Sequence, residues 1–215
     1  MKKMLAALLV SAGLAVPAHA AFVVSGGTTL NGQTAADYTN IENDFANELI
    51  ALGYTSYNTG GTLTVTSAST ISFNAYGSES ADFDSLWIGG VQRFAETDGA
   101  VKTFYALADF FSATDSQANL NAILASMQFV VNVDNTGGSS NAAIGNPGFG
   151  FFFNPNDLST VMLAFDDNGA NPEDNHDDLL VRMTFGVVPE PATWALMILG
   201  FAGLAFARRR KLANA

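Results

Sequence analysis

Eight short runs rich in β-branched and aromatic residues, each bounded by Gly, Asn, Ser or Asp, set the strongest limit on how this chain folds. They cover residues 62–66, 70–76, 84–88, 101–105, 128–133, 149–153, 161–165 and 179–185. Runs of this length and composition are strands joined by turns. Helical spacing is confined to two stretches. Thr39 with Glu42 three residues on reads as a capping box, followed by Ile41, Phe45, Leu49 and Leu52 at helical intervals and Gly53 as a stop. A second helix is predicted over 115–127, where Leu120, Ile123, Leu124 and Met127 share a face. A doubly wound parallel sheet needs more crossover helices than these, so the expectation is a mostly β fold, an antiparallel β-sandwich of jelly-roll type with one or two short helices.

Alternation in the last run puts Leu179, Val181, Met183 and Phe185 on one face and Leu180, Arg182 and Thr184 on the other, the pattern of a half-buried antiparallel strand. Two strand entries echo each other as acid-rich starts: Asp82, Phe83, Asp84, Ser85, Leu86 and Asp177, Asp178, Leu179, Leu180. The echo is too short to indicate a solenoid repeat.

The two ends read as addresses. Lys2 and Lys3 precede an apolar run from Met4 to Val16, then Pro17 and the small-x-small triplet Ala18, His19, Ala20. This is the pattern of a signal peptide over residues 1–20, helical, read by the Sec translocon and cut by signal peptidase before Ala21. Its apolar run falls short of the roughly 20 residues that span a bilayer. At the other end Pro189, Glu190 and Pro191 form a rigid extended tripeptide, because each proline fixes its own φ and turns its predecessor away from helix. An uncharged stretch over 192–207 follows, predicted to be a transmembrane helix with Trp194 at one interface, and then a basic tail over 208–211 with Arg208, Arg209 and Arg210. The positive tail places the body outside and the end of the chain inside.

The order of motif, span and basic tail, with Trp194 and Ala195 after the Pro-Glu-Pro, resembles the PEP-CTERM sorting domain. The resemblance covers residues 188–215. It implies export in a Gram-negative bacterium, anchoring in the inner membrane, recognition by a membrane-embedded exosortase, and delivery to the cell surface or an exopolysaccharide matrix such as that of a biofilm.

Between the ends, residues 21–187 are expected to form one acidic domain. Its basic residues are Arg93, Lys102 and Arg182, set against nineteen of the twenty acidic residues of the chain. Such a surface repels phosphate backbones and excludes nucleic acid as a partner. The chain contains no cysteine, so disulfides, thiolate metal sites and a cysteine nucleophile are excluded.

The densest set of oxygen ligands runs from Asp166 to Asp178. Asp166, Asp167, Asn168, Asp174, Asp177 and Asp178 suit calcium, which takes six to eight hard oxygens in irregular geometry. The loop is not an EF-hand, because the sixth position counted from Asp166 is Asn171 where glycine is required. A plain solvated acidic loop fits the same residues, and both readings stand. The loop with Asp177, Asp178, Leu179, Leu180 and Val181 also resembles a domain of unknown function found in secreted bacterial surface proteins, which implies a β-sandwich body.

Catalytic patterns are missing. Once His19 leaves with the signal peptide the one remaining histidine is His176, among acids in what reads as a solvated loop, and no serine sits in Gly-x-Ser-x-Gly. No His-Glu-x-x-His and no phosphate-binding glycine loop is present. The expectation is therefore a structural or interaction protein without enzymatic activity. Two alternatives carry less of the sequence: a calcium-assisted carbohydrate-binding module stacking sugars on the aromatic run 149–153, and a glycan-active hydrolase using two of the many carboxylates.

Overall fold

The computed structural model describes residues 22–41, 43–80, 82–96, 102–132, 141–167, 176–187 and 197–203. The predicted signal peptide, with Ala18, Ala20 and Ala21, lies outside these residues. So do Pro189, Glu190, Pro191, Trp194, Arg208, Arg209 and Arg210, and the loop residues Asn168 and Asp174. The chain divides into two units, one spanning His19–Val188 and one comprising Met1–Ala18 with Pro189–Ala215. In the second unit residues 197–203 are helical and mostly exposed. Among the described residues no helix is long and apolar enough to cross a membrane.

The body is mostly β and antiparallel throughout. Its elements in chain order are β1 (Phe22–Asn31), α1 (Ala35–Thr39), α2 (Ala46–Ala51), β2 (Ser56–Val65), β3 (Ser69–Ser78), β4 (Phe83–Ile88), β5 (Val91–Ala95), β6 (Thr103–Phe104), β7 (Asp109–Asp115), α3 (Gln117–Ala125), β8 (Met127–Asn132), β9 (Ala142–Ala143), β10 (Phe149–Asn154), β11 (Asp157–Phe165) and β12 (Leu179–Val187). The larger sheet runs β1-β2-β10-β11-β12-β3-β6, with β7 also paired to β3, and the smaller runs β5-β4-β8-β9.

Each of the eight expected strands is present, with edges moved by a few residues. The run 101–105 contracts to Thr103–Phe104, and β1, β5, β7 and β9 appear where no strand was anticipated. The first helix is a correction. Thr39 does not cap it; the capping box belongs to Thr34 and Asp37, and Thr39 closes α1 with its hydroxyl donating to the Ala35 carbonyl at 2.8 Å. The apolar residues assigned to one helix then divide, because the Asn43 side chain accepts from the Phe45 N–H at 2.9 Å and offers the backbone a turn in place of a continued helix. Gly53 follows α2 at φ +82°, the left-handed stop that glycine adopts most easily.

Two buried apolar clusters follow from alternation. Phe149, Phe151 and Phe153 of β10, Val161, Leu163 and Phe165 of β11, and Leu179, Val181, Met183 and Phe185 of β12 point to one side of the large sheet. There they meet Leu86, Ile88, Met127, Phe129 and Val131 of the small sheet and Leu120 and Leu124 of α3. On the opposite side Phe152, Met162, Ala164 and Leu180 are covered by Tyr38, Phe45, Ala46, Leu49, Tyr54 and Tyr57. The central strands are thus buried on both faces, while Arg182 and Thr184 of β12 stay half-buried. The aromatic run of β10 is wholly internal: Phe149, Phe151 and Phe152 are sealed from water and offer no stacking surface to a sugar.

Candidate functional site

Strand β11 is followed directly by Asp166 and Asp167, and β12 is entered through Asp177 and Asp178. The two strands pair with Phe165 opposite Leu179, so the register itself carries all four carboxylates to one end of the sheet. The Asp178 N–H donates to the Phe165 carbonyl at 3.1 Å and the Asp167 N–H to Asp178 Oδ2 at 2.6 Å. Carboxylate oxygens of Asp166, Asp167 and Asp178 lie within 4.8 Å of one another, and all three residues are buried. The solvated-loop reading therefore fails for Asp166, Asp167, Asp177 and Asp178, each of which is buried.

A strand from the other sheet carries a further buried carboxylate. Asp84 on β4 is 0% exposed, and both of its carboxylate oxygens are sealed from solvent without a hydrogen-bond partner. The Ser80 hydroxyl donates to Asp167 Oδ2 at 3.0 Å. Asp82, also buried, stands beside Asp84, with its N–H on Ser80 Oγ at 2.9 Å. On the far side, Asp177 Oδ2 accepts the Asp44 N–H at 2.5 Å, which ties the approach to α2 into the same centre. Asp177 Oδ1 has no partner.

Among the described residues no Lys or Arg is a cause acting on Asp84, Asp167, Asp177 or Asp178. Burial, with the Asp167 charge second, pushes the Asp84 carboxyl up to about 8. Burial lifts Asp177 to about 7 and, with Asp167 adjoining, raises Asp178 well above the carboxylate range. Asp167 is raised as well, burial again being the first cause. A set of buried oxygens in this state has two chemical outlets: it holds protons that carboxylates normally release, or it takes a hard cation.

Residues 187–211 match the PEP-CTERM protein-sorting motif. The chain carries a PEP-CTERM sorting signal. The match takes in Pro189, Glu190, Pro191, Trp194, Arg208, Arg209 and Arg210, the residues whose order first suggested it. A PEP-CTERM signal implies an exported protein, held transiently in the membrane until exosortase processes it. No curated protein and no solved structure matches the chain.

In the PEP-CTERM body His176 is the second correction. It is a fully buried residue at φ +50°, not a solvated one. Its Nε2 lies 2.7 Å from the Pro147 carbonyl, which can only accept, so Nε2 carries a proton. In the neutral ring Nδ1 then accepts the Tyr57 phenol proton across 2.6 Å. Gly150 of β10 makes room for this pair: a Cβ there would stand 2.7 Å from His176 Cδ2 and 3.1 Å from Tyr57 Cε2. Because the imidazole is pinned at both nitrogens, Gly150→Ala is expected to destabilise the body by about 1–3 kcal/mol. A urea midpoint equal to that of the parent chain would show that the rings yield freely.

Sequence reasoning missed Ser80, Asp82 and Asp84 as partners of the acidic loop. The signal was present in the echo between the two acid-rich strand entries, which the fold sets side by side.

Proposed function

We propose that this protein is an exosortase-processed structural or interaction component of the cell surface or exopolysaccharide matrix, with no catalytic activity, whose body is a jelly-roll-like β-sandwich. The observation that carries the reading is the sorting motif over residues 187–211, which implies export and processing. Supporting the non-catalytic role, the histidine of the body has both ring nitrogens engaged with Tyr57 and Pro147 inside the protein. Supporting a structural rather than a sugar-stacking role, the phenylalanines of β10 are core residues. The two sheets share one apolar core, as a sandwich requires.

The test is processing. Replacing Glu190 with alanine removes the acid between the two prolines. It is expected to leave full-length precursor in the membrane fraction of an exosortase-bearing host, whereas the parent chain is cut and leaves it. Equal release of parent and variant would count against recognition of this motif. For the role of the body, the processed protein is expected to show no saturable affinity for exopolysaccharide fragments in glycan pull-down; saturable binding would move the assignment to the carbohydrate-binding module.

A further inference from the structure

We propose that strand β1 is a homotypic interaction surface, pairing edge to edge with β1 of a second copy of this chain so that two large sheets join into one. β1 ends the large sheet and, among the described residues, pairs with β2 alone, in a register running from Phe22 opposite Val65 to Asn31 opposite Ser56. Its other edge is a row of backbone donors and acceptors of the kind that adds a further strand. Phe22 anchors the strand in the core, with ring centroids 5.9 Å from Phe153 and 5.6 Å from Phe185. From Ser25 to Asn31 every residue is exposed, so this length is uncovered on both faces as well as along its edge. Edge strands are ordinarily blunted by lysine, proline or an inward-pointing charge. β1 has none of these: Phe22–Asn31 contains no charged residue and no proline. Gly27 and Gly60 stand at positive φ, yet the register is the same on either side of them, so the kink leaves Thr28–Asn31 in the sheet.

Charge selects the occupant. The body sets nineteen acidic residues against three basic ones, so two copies repel over most of their surface. The β1 end is the exception. Residues 21–36, 49–78 and 135–156 contain no Asp, Glu, Lys or Arg, and these stretches supply β1, β2 and β10, the three strands at that end of the sheet. The other edges differ: β7 carries Asp109 and Asp115, β5 carries Arg93 and runs into Glu96, and β6 and β9 are two residues each. A partner chosen by opposite charge finds nothing to bind at β1, whereas a second copy meets no like charge there. An antiparallel edge is also its own complement, because a two-fold axis turns each copy's donors toward the other's acceptors, the isologous contact of a cyclic dimer. The axis falls at Thr29, within the stretch exposed on both faces, and sets Leu30, itself 46% exposed, opposite Thr28 of the second copy. Such pairing gives the structural role proposed above a means of assembly, and rests on that reading only for its setting.

The experiment uses the full chain in detergent with one introduced cysteine, unique because the chain has none. Thr28→Cys is treated with a short bis-maleimide and the cross-linked dimer is followed on a denaturing gel. Leu107→Cys, at a residue 54% exposed between β6 and β7 at the opposite end of the sheet, measures chance collision in the same micelles. Thr28→Cys is expected to cross-link at least about tenfold faster, and adding Leu30→Lys should slow it by about tenfold, because like charges then stand beside the axis. That lysine reduces the net negative charge, so general repulsion between copies weakens and cannot cause the loss. Leu107→Lys in the Thr28→Cys background should leave the rate unchanged. A second measurement needs no variant: amide exchange over residues 28–31 of the parent chain should slow as protein concentration rises. Equal cross-linking at positions 28 and 107, a rate indifferent to Leu30→Lys, or exchange independent of concentration would overturn the pairing. Neither exosortase nor glycan enters these assays, so their failure is distinguishable from failure of the sorting or matrix reading.

Discussion

Phe129→Ala will lower the stability of the body by about 3–5 kcal/mol, the range for emptying a buried phenylalanine site. Phe129 belongs to β8 of the small sheet, yet its ring stacks on Phe165 of β11 with centroids 4.9 Å apart and meets Phe149 of β10 at 4.7 Å. Those contacts join the two sheets, and neither partner lies on a loop that could close over a void. The truncated site therefore cannot collapse, and the penalty combines lost transfer energy with a cavity. For a domain of this length the melting temperature should fall by roughly 6–20 °C. Leu107→Ala, at a residue 54% exposed, is the control and should stay within about 0.5 kcal/mol of the parent. Equal melting temperatures for Phe129→Ala and the parent would mean that the two sheets do not share this core.

The chelated protein will lose stability as pH rises from about 4 to about 8, the reverse of ordinary acid denaturation. Asp84 faces Asp82 and Asp167, and Asp177 faces Asp44 and Glu79. Their folded-state values, about 8 and about 7, stand above the ordinary 3.8. Between 3.8 and those values the folded chain keeps protons that the unfolded chain has released, so each rise in pH favours unfolding. The stabilisation is complete below the unfolded value and gone above the folded one. Asp37 and Asp115, held low by hydrogen bonds from Thr34 and Ser116, act in the opposite sense, but both are fully exposed and screened. At about 1.4 kcal/mol per pH unit, Asp84 and Asp177 together set an upper limit on the order of 10 kcal/mol for the loss across the window. Urea midpoints at pH 4.5, 6 and 8 with chelator present check it. Midpoints that climb steadily over that range would refute the uncompensated state of the acidic centre.

Legibility in the sequence varied with the range of the interaction. Strands such as β10, β11 and β12 were readable because alternation and β-branched composition are local properties of a pleated chain. β7 was not, since Asp109, Ser112 and Thr114 interrupt the apolar alternation of a strand and Asp115 reads as the start of the following helix. What makes it a strand is its pairing with β3, including the contact between the Thr70 and Thr114 hydroxyls at 2.7 Å. The first helix was misplaced by one such local competition, the Asn43 side chain bonding to the Phe45 N–H. At the acidic loop the residue types were visible but their burial was not, because exposure depends on what the rest of the chain lays over them.

By itself the amino-acid order determined the sorting signal near the C-terminal end, the acidic and cysteine-free composition, and the alternating pattern of the central strands. All of these reside in neighbouring residues and their spacing. The tertiary structure alone decided that the Ser80 hydroxyl meets Asp167, although 87 positions separate them in the chain. It also decided that His176 is locked inside against Tyr57. Both results come from strand register and sheet stacking, which bring distant residues into a space with no water and make a carboxylate's charge a matter of who its neighbours are.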